Sequence, residues 1–195
     1  MRLKIFMTLG YGALLLSVIC IGAFSTYELF KTREIVGELY EHPFTVASTV
    51  LNIKSDIIKI HSEMKDVSIH TDAFGHKMTV HIQNVDRLDK DVCDKISIIK
   101  KFFLGDKRKI DKFEKDFIAW RSTRKKEFEL ANNDKHAQAM EMSRCKGAQQ
   151  VKLLTDQIDY LYKCAQSKAA FFYGAAKRDI RQKIWVNVSV SLIIF

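Results

Sequence analysis

The most regular feature of the chain is the spacing of its apolar residues between positions 46 and 67. They follow one another at intervals of 4, 3, 4, 3, 4 and 3 residues: Val46, Val50, Ile53, Ile57, Ile60, Met64 and Val67. This is the heptad spacing of an α-helix that buries one stripe of its surface. Val36 and Leu39 continue the register upstream through Pro43. Because proline removes a backbone donor and clashes with the preceding turn, we expect the helix to kink or begin afresh there, either as a plain break or as a flexible point that serves the protein's function.

Three further segments repeat helical spacing. The second contains Met78, Ile82, Val85, Val92, Ile96, Ile99 and Phe103, with Asp89 interrupting it; the third contains Ile110, Phe113, Phe117 and Trp120; the fourth contains Gly147, Val151, Leu154, Ile158, Leu161 and Ala165. Short breaks separate them, with Gly75 and Gly105 as helix stops, Asp106 as a cap and a capping-rich run at 131–134. The spacing predicts helices over about 36–72, 77–103, 107–131 and 135–183.

Four amphipathic helices with three short connections predict an all-α, antiparallel, up-down-up-down four-helix bundle. Composition supports this, because eight Gly and one Pro in 195 residues are too few for the frequent turns of a β-sandwich or barrel.

The N-terminal end carries a membrane signal. Ile5–Phe24 has no charge and is long enough to cross a bilayer, and Arg2 and Lys4 precede it. The positive-inside rule then places residues 1–4 in the cytoplasm, 5–24 in the membrane and 25–183 outside the cytoplasm. A cleaved signal peptide is the alternative, but the apolar core is too long and the residues around Gly22 make a poor cleavage site.

The C-terminal end resembles the beginning of a second span. Residues 184–195 are uncharged, follow a basic stretch and begin with an interfacial aromatic, Trp185. Twelve residues are too few to cross. Either they form a short buried tail, or the chain is cut within a second transmembrane helix and the output module lies beyond it. We favour the second interpretation, and both membrane ends would then leave the bundle on the same side.

Charge and candidate chemistry narrow the function classes. The formal net charge is +9, but residues 25–183 interleave 30 basic with 23 acidic side chains, which favours a solvated helix surface over a nucleic-acid interface. No nucleotide-binding, nucleophile-elbow or metalloprotease motif occurs, so we expect no enzymatic activity and no cofactor.

The spacing of the histidines and cysteines indicates neither a metal site nor a disulfide framework. His76 and His81 are five residues apart, a poor ligand spacing, and a metal would need a third partner such as His136; we expect polar histidines and no metal. Cys145 and Cys164 lie too far apart on one predicted helix to pair, so at most Cys93 meets one of them.

Two runs resemble a known family. Leu39–Val46 contains His42, Pro43 and Phe44, and Ile60–Val67 contains His61, Met64, Lys65 and Asp66. These runs resemble the four-helix-bundle sensory modules of bacterial chemoreceptors (methyl-accepting chemotaxis proteins) and their relatives, which lie between two membrane spans. The resemblance implies a protein of the inner membrane whose ligand-binding domain lies in the periplasm. It also implies an output of methyl-accepting, diguanylate cyclase or histidine kinase type.

A candidate ligand site follows from the first bundle helix. Lys54, His61 and Lys65 share one stripe beside the apolar seam, so in a homodimer they could face the partner's helix and enclose a small anion. The alternative is that these side chains only cover the seam with their stems.

The sequence therefore predicts a membrane-anchored homodimeric sensor. Its input would be a small anionic ligand or a periplasmic protein, and it would pass helix shifts across the membrane. The rival hypothesis is a structural, membrane-anchored helical bundle that mediates assembly without sensing.

Overall fold

The computed structural model describes residues 2–69 and 76–194. The predicted helix end near residue 72 and the stop at Gly75 lie outside the described residues. Several side chains within these ranges are also outside the description, among them those of residues 35, 36, 38–41, 69, 76 and 77. The register predicted through Val36 and Leu39 therefore lies outside the description too.

The described chain is helical almost throughout. Its elements are α1 (Arg2–Leu39), a π-turn (Tyr40–Phe44), α2 (Thr45–Ile69), α3 (His76–Phe102), α4 (Lys107–Asn132), α5 (His136–Met142), a second π-turn (Ser143–Gly147) and α6 (Ala148–Ile194). No strand occurs among the described residues. The all-α bundle fold with an N-terminal apolar helix, predicted from the spacing, is confirmed.

The chain divides into two compact units, one of residues 41–171 and one of residues 1–40 with 172–195. The first unit holds the bundle of α2, α3, α4, α5 and the beginning of α6. All seven seam residues of α2, from Val46 to Val67, are at most 3% exposed. The first six pack with the seams of α3, α4 and α6, as the spacing predicted, and Val67 packs with Ala131 and Ala139. Burial of each such side chain stabilises the fold by roughly 1.5–3 kcal/mol, which explains why the seam determines which faces meet.

The connection between α3 and α4 uses the predicted residues. α3 ends at Phe102, and a Cβ on Gly105 would lie 2.6 Å from the ring of buried Phe103, so only glycine fits beside that ring. Asp106 then caps α4 by accepting a hydrogen bond from the Arg108 backbone N–H at 3.1 Å. The predicted cap at Asp106 is confirmed, whereas α3 ends three residues before Gly105, so the contact with the Phe103 ring and not a helix stop requires this glycine.

The helical path changes at Pro43, as predicted, but the helix boundary differs from the prediction. The prediction starts a bundle helix near residue 36, whereas α1 continues to Leu39 and a π-turn leads into α2. Pro43 lies inside this π-turn. Because proline has no N–H and crowds the carbonyl four residues earlier, a wider turn accommodates it without ending the helical path.

The fourth predicted helix, 135–183, is also interrupted. Ala139, Ser143 and Gly147 are buried, and half-buried Val151 follows at the same interval of four residues. In an α-helix each step of four rotates the stripe by about 40°, so repeated steps of four would turn it away from the core. The π-turn at Ser143–Gly147 takes up one extra residue and returns the stripe to the core.

The second unit consists of α1 and the end of α6. Among the described residues, Met7–Glu34 of α1 is the one stretch that is long and apolar enough to cross a membrane. None of the most apolar part of this stretch is buried. Lys183 of α6 pairs with Glu28 of α1 and, at 2.6 Å, with Asp179. The predicted spans 5–24 and 184–195 stay predictions.

Candidate functional site

The seam of α4 continues beyond the aromatic residues with charged side chains. After Trp120, the intervals of 4, 3 and 4 lead to Arg124, Glu127 and Ala131, and all three are buried. The predicted seam ended at Trp120, so these residues were missed. The signal was present, because the same heptad register continues through them.

Asp89 and Arg124 form a buried ion pair between α3 and α4. Arg124 donates from Nη2 to Asp89, and Arg121 adds hydrogen bonds at 3.1 and 2.5 Å to the same carboxylate. The Arg124 guanidinium lies 4.7 Å from the centre of the Trp120 ring. Burial acts to raise the pKa of Asp89, but the two arginines outweigh it and hold that pKa below its usual range. The predicted interruption of the α3 seam at Asp89 is wrong, because Leu88 fills the core between Val85 and Val92 and Asp89 lies beside it, where it compensates Arg124.

Glu127 is the second buried charged group of α4. Its carboxyl oxygen Oε1 lies 3.0 Å from Ser68 Oγ, whose hydroxyl also reaches the Met64 carbonyl oxygen at 3.0 Å. Burial raises the pKa of Glu127 to about 7, and the hydroxyls of Ser143 and Ser68 oppose this rise. Since one hydroxyl has one proton, a protonated Glu127 can donate to Ser68 while Ser68 donates to Met64.

A cavity lies next to Glu127, between α2 and the second π-turn. We call it the Ser143 cavity; it measures about 200 Å³ and is lined by Lys65, Ser68, Met140, Ser143 and Arg144. Ser68 and Ser143 are each 1% exposed, so both hydroxyl-bearing residues are buried in its wall. Lys65 and Arg144 are exposed, and neither forms an ion pair with any described residue. The cavity therefore combines uncompensated positive charge with buried hydroxyl groups.

The three predicted ligand residues have different surroundings. Lys54 Nζ pairs with Asp159 of α6 at 2.6 Å. His61 packs on Gly147, where an added Cβ would lie 3.5 Å from its ring. Burial and the positive charge of Lys65 lower the pKa of His61, which favours the neutral ring. The structure thus places Lys65 in a cavity with Arg144, which sequence reasoning missed, and their grouping with a partner's helix stays a prediction.

Comparison with known families identifies the bundle. Residues 2–180 match the model of a family described as a four-helix-bundle sensory module for signal transduction. The chain belongs to this family. The resemblance inferred from the runs at 39–46 and 60–67 is confirmed. No curated protein and no solved structure matches the chain.

Most motif residues of this sensory module serve packing. Pro43 is buried, and the His42 ring meets Phe102 edge-on with centroids 5.8 Å apart. Phe44 is exposed. Met64 belongs to the core and Asp66 is half-buried. Of the motif residues described, only Lys65 lines the Ser143 cavity.

The histidines of the module lie apart from one another. His81 Nδ1 is 2.5 Å from Glu63, and His136 Nε2 is 3.8 Å from Asp134. The side chain of His76 lies outside the description. Within residues 2–69 and 76–194, no group of three His, Cys, Asp or Glu side chains could hold a metal ion. All four cysteines are free, and Cys93 accepts a contact from Arg121 at 3.1 Å.

Proposed function

We propose that this sensory module is the extracytoplasmic input domain of a membrane receptor in the bacterial inner membrane. Its output would be a methyl-accepting, diguanylate cyclase or histidine kinase domain. The observation that carries the proposal is the pairing of a signalling-family bundle with α1, whose stretch Met7–Glu34 is long and apolar enough to span a membrane.

The chain path suggests how a signal would leave the bundle. α2 follows α1 after one π-turn, and α6 extends without a break from Ala148 to Ile194. The Ser143 cavity is lined by α2 and by the π-turn that leads into α6. An occupant therefore touches both segments that connect the bundle to the rest of the chain. Binding energy that differs between two packings of these segments would shift their populations.

We further propose that the receptor is a homodimer that pairs through α2. A second heptad seam, the outer seam, begins at the end of the first π-turn and continues along the solvent side of α2. Its residues follow at intervals of 4, 3, 4, 3 and 4: Phe44, Ser48, Leu51, Ser55, Ile58 and Ser62. Its three large residues are 56%, 45% and 52% exposed. Large residues alternating with serines suit knobs-into-holes packing against a second, parallel copy of the same helix.

We also propose that the module itself binds its input and transmits the signal without catalysing a reaction.

A labelling experiment tests the orientation. Cys145 is exposed in the bundle, so in intact cells with a permeabilised outer membrane an impermeant maleimide should label it before lysis. The Cys145→Ser variant, which keeps the other three cysteines, measures the background. Labelling that requires lysis would place the bundle in the cytoplasm and overturn the proposed function.

A further inference from the structure

The carboxyl group of Glu127 is buried at a point where three elements meet. Glu127 belongs to α4 and is 2% exposed. Its oxygen Oε1 lies 3.0 Å from Ser68 Oγ of α2, and the hydroxyl of Ser143, in the second π-turn, interacts with the same carboxyl group. Both serines are themselves buried. Glu127 therefore connects α4 to α2 and to the π-turn through groups that water does not reach.

The titratable groups of the adjoining segments leave this carboxyl group without a counter-charge. They are Arg124 of α4, which Asp89 binds, Lys65 and His61 of α2, His81 of α3, which Glu63 binds, His136 of α5 and Arg144 of the π-turn. None of them forms an ion pair with Glu127 in the described part of the chain. A negative charge on Glu127 is therefore uncompensated in the packing that the structure shows.

Ionisation of Glu127 also changes the hydrogen bonds of this cluster. The protonated group can donate to Ser68 while Ser68 donates to the Met64 carbonyl oxygen at 3.0 Å. The carboxylate has no proton to donate, so the single proton of Ser68 can serve only one of the two acceptors. A buried carboxylate without a cation is in addition strongly disfavoured. The ionised cluster is therefore under pressure to open towards water.

The second π-turn is the part of this cluster that can move at the smallest cost in burial. Of its five residues only Ser143 and Gly147 are buried, whereas Arg144, Cys145 and Lys146 are exposed. Isolated π-turns within helices often occur at functional sites. Movement of this turn away from α4 would also open a path from the carboxylate to the Ser143 cavity, where Arg144 supplies a positive charge.

We propose that Glu127 and the second π-turn form a proton-controlled switch. The protonated carboxyl group holds α2, α4 and the π-turn together, and its ionisation releases the π-turn from α4. Because α6 follows this turn directly, release shifts the populations of two packings of the chain that leaves the bundle. As a signalling input the switch rests on the proposed sensory function, whereas the pH response itself is a property of the bundle.

The direction of the response follows from the protonation of Glu127. Its pKa is about 7 in the closed packing and about 4.5 when exposed, so the closed packing keeps a proton that the released one has lost. The ratio of released to closed molecules should therefore rise up to about tenfold per pH unit between these values, and level off above pH 7.

His61 would give a response of the opposite sign. Its ring packs on Gly147 at the end of the π-turn, and burial lowers its pKa, so the closed packing favours the neutral ring. Protonation of His61 would therefore loosen the π-turn as the pH falls. Ionisation of Glu127 loosens it as the pH rises, so the sign of the response distinguishes the two groups.

Hydrogen exchange followed by mass spectrometry tests the switch in the full-length protein in detergent micelles between pH 5 and pH 8. Exchange rates are divided by the intrinsic rate at each pH. The protection of amides in residues 140–150 should fall at least about tenfold from pH 5 to pH 7 and less than about threefold from pH 7 to pH 8. Urea too dilute to unfold the bundle should hardly change this protection, because release of a short turn exposes little surface.

Variants assign the response to one carboxyl group. Glu127→Gln should keep the protection seen at pH 5 throughout the range, because an amide does not ionise. Glu129→Gln, on the exposed face of the same helix, and His136→Gln should keep the response of the original protein. Ser68→Ala should move the levelling-off to higher pH, because it removes a hydroxyl that opposes the raised pKa of Glu127.

Three results would overturn the switch: protection of the π-turn that does not change with pH, a response that Glu127→Gln retains, or exchange that is as slow and as sensitive to urea as in residues 110–120, which would indicate global unfolding. The labelling of Cys145 tests the proposed function separately. Labelling from outside without a pH response removes the switch only. Labelling that requires lysis, together with a pH response, removes the sensory orientation and leaves the switch.

Discussion

Glu127 occupies a position where the heptad pattern calls for an apolar side chain. It is 2% exposed, and the polar groups around it are the hydroxyls of Ser68 and Ser143. Lys65 of α2 and Arg144 of the π-turn line the adjoining cavity, and Arg124, one turn earlier on α4, is engaged by Asp89. No cation is therefore paired with Glu127 among the described residues. Burial then favours the protonated carboxyl group over the charged carboxylate.

Replacing Glu127 with glutamine should change the pH dependence of stability. The pKa is about 7 in the folded protein and about 4.5 when unfolded, so between these values the folded state holds a proton that the unfolded state has lost. The contribution of Glu127 is thus favourable below pH 4.5, declines as the pH rises, and by pH 8 costs about 3 kcal/mol relative to acid pH. Glu127→Gln should raise the free energy of unfolding at pH 8 and change it little at pH 5.

Denaturant unfolding of the full-length protein at both pH values, followed by the fluorescence of buried Trp120, measures this difference. Glu129→Gln on the exposed face of the same helix is the matched control and should show no pH-dependent gain. An equal effect of Glu127→Gln at pH 5 and pH 8 would contradict the titration of this carboxyl group.

At the scale of the elements, polar side chains on or beside the seams join specific pairs of helices. Asp89 and Arg124 link α3 to α4, Ser68 links α2 to Glu127 of α4, and Lys54 links α2 to α6. The second π-turn also affects how the elements pack, because it places Ser143 and Gly147 on the core side of the chain. Apolar seams alone would allow neighbouring helices to slide, whereas these polar links favour one register.

Asp89→Ala should destabilise the bundle by about 3–5 kcal/mol, because it leaves the Arg124 guanidinium buried without a counter-charge. Asp91→Ala breaks an exposed pair with Arg87, whose charged groups are 3.6 Å apart, and should cost less than about 1 kcal/mol. Denaturant unfolding gives both values. The double variant Asp89→Ala with Arg124→Met should recover much of the loss, and a strictly additive loss would exclude the pair as the cause.

At the scale of the whole molecule, the outer seam of α2 is an apolar stripe that lies outside the core. Phe44, Leu51 and Ile58 repeat every seven residues on the solvent side, while the inner seam of the same helix packs in the core. The inner stripe stabilises the fold, and the proposal assigns the outer stripe to pairing with a second copy.

In a parallel dimer through the outer seam, equivalent residues of the two copies approach each other. With Cys145 replaced by serine, a Leu51→Cys variant of the full-length protein in membranes should form a covalent dimer with a short bis-maleimide. Ile118→Cys, an exposed apolar position on α4, is the control and should not form one. Equal cross-linking of both variants, or of neither, would contradict pairing through α2.

The sequence by itself determined which face of each helix is buried. The α-helix has a fixed period, so the intervals from Val46 to Val67 decide the buried stripe without reference to any other element. The roles of Gly105 and Asp106 are also local, because the glycine contacts the ring of Phe103 and the cap accepts from Arg108, both close in sequence. The continuing register also contained Arg124 and Glu127, although their charges concealed it.

Only the tertiary structure decided which polar groups meet. Lys54 and Lys65 occur on the same stripe of α2, yet Lys54 pairs with Asp159 and Lys65 shares a cavity with Arg144. Those partners are about 80–105 positions away along the chain, so their proximity depends on how α6 and the π-turn pack against α2. The chemical character of a side chain is local, but its counter-charge, its burial and therefore its pKa are set by residues that the fold brings to it.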